Sequence, residues 1–108
     1  MNLIKRLEIE SFKKLTRKTK ITVVGSGYVG MSLSVLLAQH NTVTVLDIDS
    51  HRVNNINSKR STVADTEIEL FLAKKSLSLT ATLDKEAAYQ NASFIIVATP
   101  TNYDAKTN

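Results

Sequence analysis

A chain of 108 residues suits one small domain, and 43% hydrophobic residues with no apolar run of about 18 exclude both a bilayer-crossing helix and a disordered tail. Cysteine is absent, which removes disulfides, thiolate metal sites and thiol nucleophiles from these residues and agrees with a cytoplasmic location. The net charge of +4 is uneven: residues 1–20 hold seven Lys or Arg against Glu8 and Glu10, the remainder seven against eight acids, so the body is near neutral and nucleic acid is not an expected partner.

Residues 1–19 carry Ile4, Leu7, Phe12 and Leu15 at helix-like spacing in a basic background, and are expected to be an amphipathic extension. The stripe is too short to favour a membrane-surface helix over a solvated one. From Lys20 the pattern changes. Ile21-Thr22-Val23-Val24 is a β-branched run that ends in glycine, so it predicts a first strand. Val29, Leu33, Leu36 and Leu37 then predict one apolar helix face. That helix is expected to end near His40-Asn41, with Asn41 in a left-handed cap and His40 as a surface residue.

Thr42 to Asp47 predicts a second strand covered on both faces, and Asp49 or Ser50 then caps a helix through about Asn57. Thr66 with Glu69 three residues later predicts another helix start, its apolar face formed by Ile68, Leu70, Phe71 and Leu72. Leu77 to Thr82 predicts a strand, Asp84 to Gln90 a short helix, and Phe94 to Ala98 a buried strand halted at Thr99-Pro100. Strands alternating with helices imply an α/β fold with a Rossmann-type, doubly wound parallel sheet, here extending to about its fourth strand and therefore incomplete.

All three glycines of the chain lie in Gly25-Ser26-Gly27-Tyr28-Val29-Gly30, between a predicted strand and a predicted helix. Gly25 permits the tight turn, Gly27 leaves room for a pyrophosphate, and Gly30 lets the helix approach the strand. Backbone N–H groups around Tyr28 and Val29 sit at the positive end of the helix dipole. Asp47 lies 22 residues beyond Gly25 at a strand end, placed to accept hydrogen bonds from ribose hydroxyls and to repel a 2′-phosphate. NAD is therefore expected over NADP, although Arg52, just beyond the same strand, has the chemistry to receive a phosphate.

The glycine segment, Leu46-Asp47-Ile48, Ala81-Thr82-Leu83-Asp84 and above all Ala98-Thr99-Pro100-Thr101-Asn102-Tyr103-Asp104 resemble the bacterial UDP-glucose dehydrogenases of the UDP-glucose/GDP-mannose dehydrogenase family, over Lys20 to Asn108. The resemblance implies that residues 20–108 are the amino-terminal part of an NAD-binding domain. It further implies a cytoplasmic oxidoreductase of nucleotide-sugar metabolism, a possible homo-oligomer, that converts UDP-glucose to UDP-glucuronate with two NAD. Its catalytic Cys and Lys would lie in a later part of a longer chain, so these residues alone are expected to be inactive. By position it assigns the cofactor site to Val29, Asp47, Arg52, where the family often has Lys, and Thr101 in the turn facing the cofactor. GDP-mannose and UDP-N-acetyl-mannosamine dehydrogenases share a Thr-Pro turn, and a non-catalytic dinucleotide-binding module would use the same glycine loop and Asp47.

Overall fold

The computed structural model describes residues 19–74 and 76–99. Four strands, β1 (Lys20–Val24), β2 (Thr42–Leu46), β3 (Leu79–Thr82) and β4 (Phe94–Val97), form one parallel sheet in the order β3-β2-β1-β4. The helices are α1 (Tyr28–Leu37), α2 (Ser50–Asn57), α3 (Thr66–Lys74) and α4 (Lys85–Tyr89). The α/β reading with a parallel sheet therefore holds.

Register decides which residues share a face. Ile21 pairs with Val43 and Val23 with Val45, and Val45 in turn with Ala81, so one face of the sheet is a block of apolar side chains. These pack with Met31 and Val35 of α1, Val53 and Ile56 of α2, and Ile68 and Leu72 of α3 into the core. The opposite face carries Thr22, Thr44, Thr80 and Thr82 at alternate positions. Thr22 is fully buried, and its hydroxyl donates to the Ala88 carbonyl of α4, which places α4 on this second face. Lys20 Nζ reinforces the docking by donating to the Ala87 and Gln90 carbonyls at 2.9 and 2.6 Å.

Several local expectations are corrected. The buried side of α1 is set by Met31, Val35, Leu36 and Leu37; Leu33 is half-buried and Val29 is exposed. Seven of its ten residues are buried, because α1 is covered on more than one side, so no single stripe could mark its inward face. Asn41 takes no left-handed conformation; the non-glycine residues with positive φ among those described are Lys59 and Asn91. It is instead buried, and donates to the Leu37 carbonyl through both its backbone N–H (2.9 Å) and its side-chain amide (3.1 Å). Asp65, not Thr66, caps α3: its carboxylate accepts from Ile68 N at 3.0 Å, while Leu70 faces out. Asp49 and Asp84 cap α2 and α4 as their types demand.

β4 reads as an internal, buried strand of a doubly wound sheet, and with no neighbour on its far side among the described residues it is exposed. It lies at the sheet edge, with Phe94, Ile95 and Val97 open to solvent and Ile96 packed against the core. An uncharged apolar edge is a template for pairing with another copy. The 108-residue chain by itself is accordingly expected to scatter light with a mass above its 11.9 kDa, and Ile95→Lys to lower that mass. A concentration-independent monomer would show that the edge is not adhesive. Among the described residues no helix is long and apolar enough to cross a membrane.

Candidate dinucleotide site

Parallel strands bring their carboxyl ends to one edge, and here β1 is flanked by β2 on one side and β4 on the other. The chain leaves β1 towards β2 and later returns to its far side, so strand order reverses at β1. A crevice opens outside the strand ends at such a reversal. It is lined by Gly25, Ser26, Asp47, Ile48, Asp49, Arg52 and Thr99.

The glycine loop is built as its composition predicts. Gly25 has φ +103°, a conformation that L side chains rarely adopt, and its N–H donates to the Leu46 carbonyl at 2.8 Å, which ties the turn to β2. A Cβ on Gly25 would also press on the Thr99 backbone at 3.1 Å. A Cβ on Gly30 would run into the Gly25 carbonyl oxygen, so glycine there lets α1 sit against the loop. Gly27 is different. Its φ of −76° and ψ of −164° are open to any residue, and a Cβ there would meet no atom of the described residues beyond its chain neighbours within 4 Å. The described residues give no packing reason for glycine at this place, whereas a ligand seated on the loop does.

Gly27 is also the N-cap of α1, with no side-chain cap and no acid in the first turn. The first intrahelical bond is Met31 N–H to the Gly27 carbonyl (2.9 Å), so the N–H groups of Tyr28, Val29 and Gly30 precede the helical ladder. An anion placed there meets donors and the positive end of the helix dipole. Tyr28 and Val29 have exposed side chains, so what they offer at the helix start is their backbone N–H groups.

Asp47 follows β2, with its side chain only 9% exposed. Its Oδ2 accepts from Ser26 N at 3.0 Å and from Ser26 Oγ at 2.6 Å, and its Oδ1 from Asp49 N at 3.0 Å. Arg52 stands outside, its Nη1 4.0 Å from Asp47 Oδ2 and its Nε 3.9 Å from Asp49 Oδ2. Burial pushes the Asp47 carboxyl up, but the Ser26 hydroxyl, the Asp49 and Ser26 N–H groups and the Arg52 charge outweigh it and hold the group below its usual value. A depressed carboxyl adds stability above its unfolded-state pKa and loses it as pH falls through the folded one, so Asp47 stays ionised throughout the neutral range.

Of the residues expected at the site, Gly25, Asp47 and Arg52 line this crevice; Gly27, Tyr28, Val29 and Gly30 form the adjoining start of α1 and are not part of its lining, while Thr101 lies outside the described residues. Three contributors escaped the sequence reading. Ser26 occupies a variable place in the glycine pattern, Thr99 reads in sequence as the stop of a strand, and Thr62 donates its hydroxyl to the Ser26 carbonyl from the loop before α3. None has a spacing signal, because each acts across the fold rather than along the chain.

A sheet reversal that gathers an uncapped helix start, an open glycine and a carboxylate defines the chain as a dinucleotide-binding unit of the doubly wound class. The model of the UDP-glucose/GDP-mannose dehydrogenase family's NAD-binding domain matches residues 19–108, and the chain belongs to that family. It is 48% identical over 89 residues to a UDP-glucose 6-dehydrogenase of Streptococcus pneumoniae, covering 82% of this chain and 23% of that protein. To the Campylobacter jejuni UDP-glucose 6-dehydrogenase it is 41% identical over 91 residues, again with 82% and 23% covered. The chain thus spans about a quarter of the length of these relatives. Its fold is shared with a GDP-mannose dehydrogenase of Pseudomonas aeruginosa, at a TM-score of 0.72, 21% identity, and 82% and 21% of the two chains covered. A UDP-glucose dehydrogenase of Pyrobaculum islandicum gives a TM-score of 0.68 at 20% identity over 80% of this chain and 21% of that one.

Proposed function

We propose that residues 20–108 hold NAD for an oxidoreductase that converts UDP-glucose to UDP-glucuronate, with residues 1–19 an extension outside that unit. The observation that carries the NAD site is Gly27, whose missing side chain leaves space that no atom of the described residues beyond its chain neighbours fills. The UDP-glucose assignment rests on the 48% and 41% identical relatives, both named UDP-glucose 6-dehydrogenases. The GDP-mannose reading has behind it the joint name of the family and a fold likeness at 21% identity.

In this reading the N–H groups of Tyr28, Val29 and Gly30 hold the pyrophosphate, and Asp47 takes the adenosine ribose. Arg52 flanks the ribose and Thr101 lies in the turn towards the cofactor. Bound NAD supplies a two-electron hydride acceptor, so taking an alcohol to a carboxylate requires two of them and one water. The 108 residues contain no cysteine, so their contribution is to bind and orient, and thiol chemistry is not theirs. The enzyme is proposed to be cytoplasmic and homo-oligomeric.

Calorimetric titration with both dinucleotides tests the site. NAD is expected to bind more tightly than NADP, because an ionised Asp47 faces the position of the 2′ substituent. Asp47→Ala is expected to weaken NAD by roughly tenfold to a hundredfold, the scale of a lost charged hydrogen bond, and to narrow the preference. Equal or tighter NADP binding by the parent would overturn the assignment and make Arg52 a phosphate ligand.

A further inference from the structure

We infer that Ser26 is a positioning residue for the ribose-binding carboxylate: by holding Asp47 Oδ2 through two donors it turns Oδ1 towards the dinucleotide. The inference rests on the NAD reading above. An aspartate at a strand end can rotate about two side-chain bonds, so its oxygens have no fixed direction unless neighbouring groups hold them. Here Ser26 N and Ser26 Oγ converge on one oxygen, at 3.0 and 2.6 Å, while Asp49 N takes the other at 3.0 Å. A carboxylate oxygen has two lone pairs. Oδ2 is therefore saturated, and Oδ1 keeps one acceptor position for a ribose hydroxyl.

Ser26 is itself fixed. It is fully buried, it lies between the two loop glycines, and its carbonyl accepts the Thr62 hydroxyl from the loop before α3. The donor pair thus reaches Asp47 from a rigid place, and the carboxylate is oriented before the ligand arrives, which lowers the ordering cost of binding. Arg52 cannot substitute for it. At 4.0 Å from Oδ2 its guanidinium contributes charge rather than a hydrogen bond. The charged groups beside Asp47 among the described residues are Arg52 of α2 and Asp49 at its cap; Gly25, Ser26 and Thr99, on the other side of the crevice, bring none.

NAD titration of the full chain, its Ser26→Ala, Ser26→Cys and Asp47→Asn variants and the Ser26→Ala/Asp47→Asn double variant, each checked for folding by thermal melting, provides the test. Ser26→Ala is expected to weaken NAD about tenfold, the scale of a lost hydrogen bond to a charged group. Without the hydroxyl, the loss of affinity on acidification is expected to begin at a higher pH than in the parent, because the carboxylate then protonates sooner. In the Asp47→Asn background the same change is expected to move affinity less than about twofold, since there is no longer a carboxylate to orient. Additive losses in the double variant, with an unshifted pH profile, would reduce Ser26 to a structural residue and overturn the inference. Should Ser26→Ala melt early, Ser26→Cys keeps the size with a weaker donor, and unchanged NAD affinity in that variant overturns the inference equally. If Asp47→Asn itself leaves NAD affinity unchanged, the ribose assignment fails and Ser26 has nothing to position.

Discussion

Replacing Gly27 with valine is expected to reduce NAD affinity by at least about a hundredfold while changing folding stability by no more than about 1 kcal/mol. The two halves of that expectation have separate causes. Gly27 adopts a φ of −76° that valine tolerates, and no atom of the described residues outside its chain neighbours lies within 4 Å of an added Cβ, so the branch point itself meets no clash. Losing glycine's freedom in the unfolded chain gains a few tenths of a kcal/mol, and an apolar residue at an N-cap gives back a similar amount. The branched side chain nevertheless fills the space above the start of α1, where a pyrophosphate must approach the backbone. Calorimetry and a thermal melt on the same sample measure both. Retained affinity would mean that the loop is only a turn, and a large drop in melting temperature would mean that the open space is not open.

Gly30→Ala is expected to do the reverse and damage the fold first. Alanine in a helix is worth about 1 kcal/mol more than glycine, so on propensity alone the change should stabilise α1. The added Cβ, however, would collide with the Gly25 carbonyl oxygen, with the Ala98 Cβ also at 3.5 Å. That carbonyl cannot swing away cheaply, because Gly25 is pinned at positive φ and its N–H is bonded to Leu46. The helix must shift off the strand instead. Overpacking of this kind costs about 1–3 kcal/mol, which exceeds or cancels the propensity gain. A net loss of about 1 kcal/mol would lower the melting temperature by roughly 4–8 °C in a chain of this size. Urea unfolding of parent and variant measures it directly, and a more stable variant would show that α1 can slide without penalty. The pair of substitutions separates the two roles that one glycine pattern combines: one glycine reserved for the ligand, the other for the packing of helix on strand.

The alternation of strand and helix, the turn at Gly25 and the acid at Asp47 were all legible in the sequence, because each depends on a few neighbouring residues. Val23 and Val24 must form a strand that ends at glycine, and Asp49 and Asp84 cap the helices that follow them whatever lies beyond. What the tertiary structure decided depends on residues far apart in the chain. The inward side of α1 was misread because coverage from more than one direction buries Met31 and Ser34 as fully as Leu37, so apolar spacing carries no direction. Asp65 displaced Thr66 as the cap of α3 because both residue types cap well and only backbone geometry chooses between them. The exposure of β4 follows from its position at the edge of the sheet, since the apolar run Phe94-Ile95-Ile96-Val97 is the same in an edge strand as in a central one. The contact of Ser26 with Asp47 spans 21 positions of sequence. It exists only because β1 and β2 are parallel neighbours that end side by side, a relation set by the pairing of strands and by no local pattern.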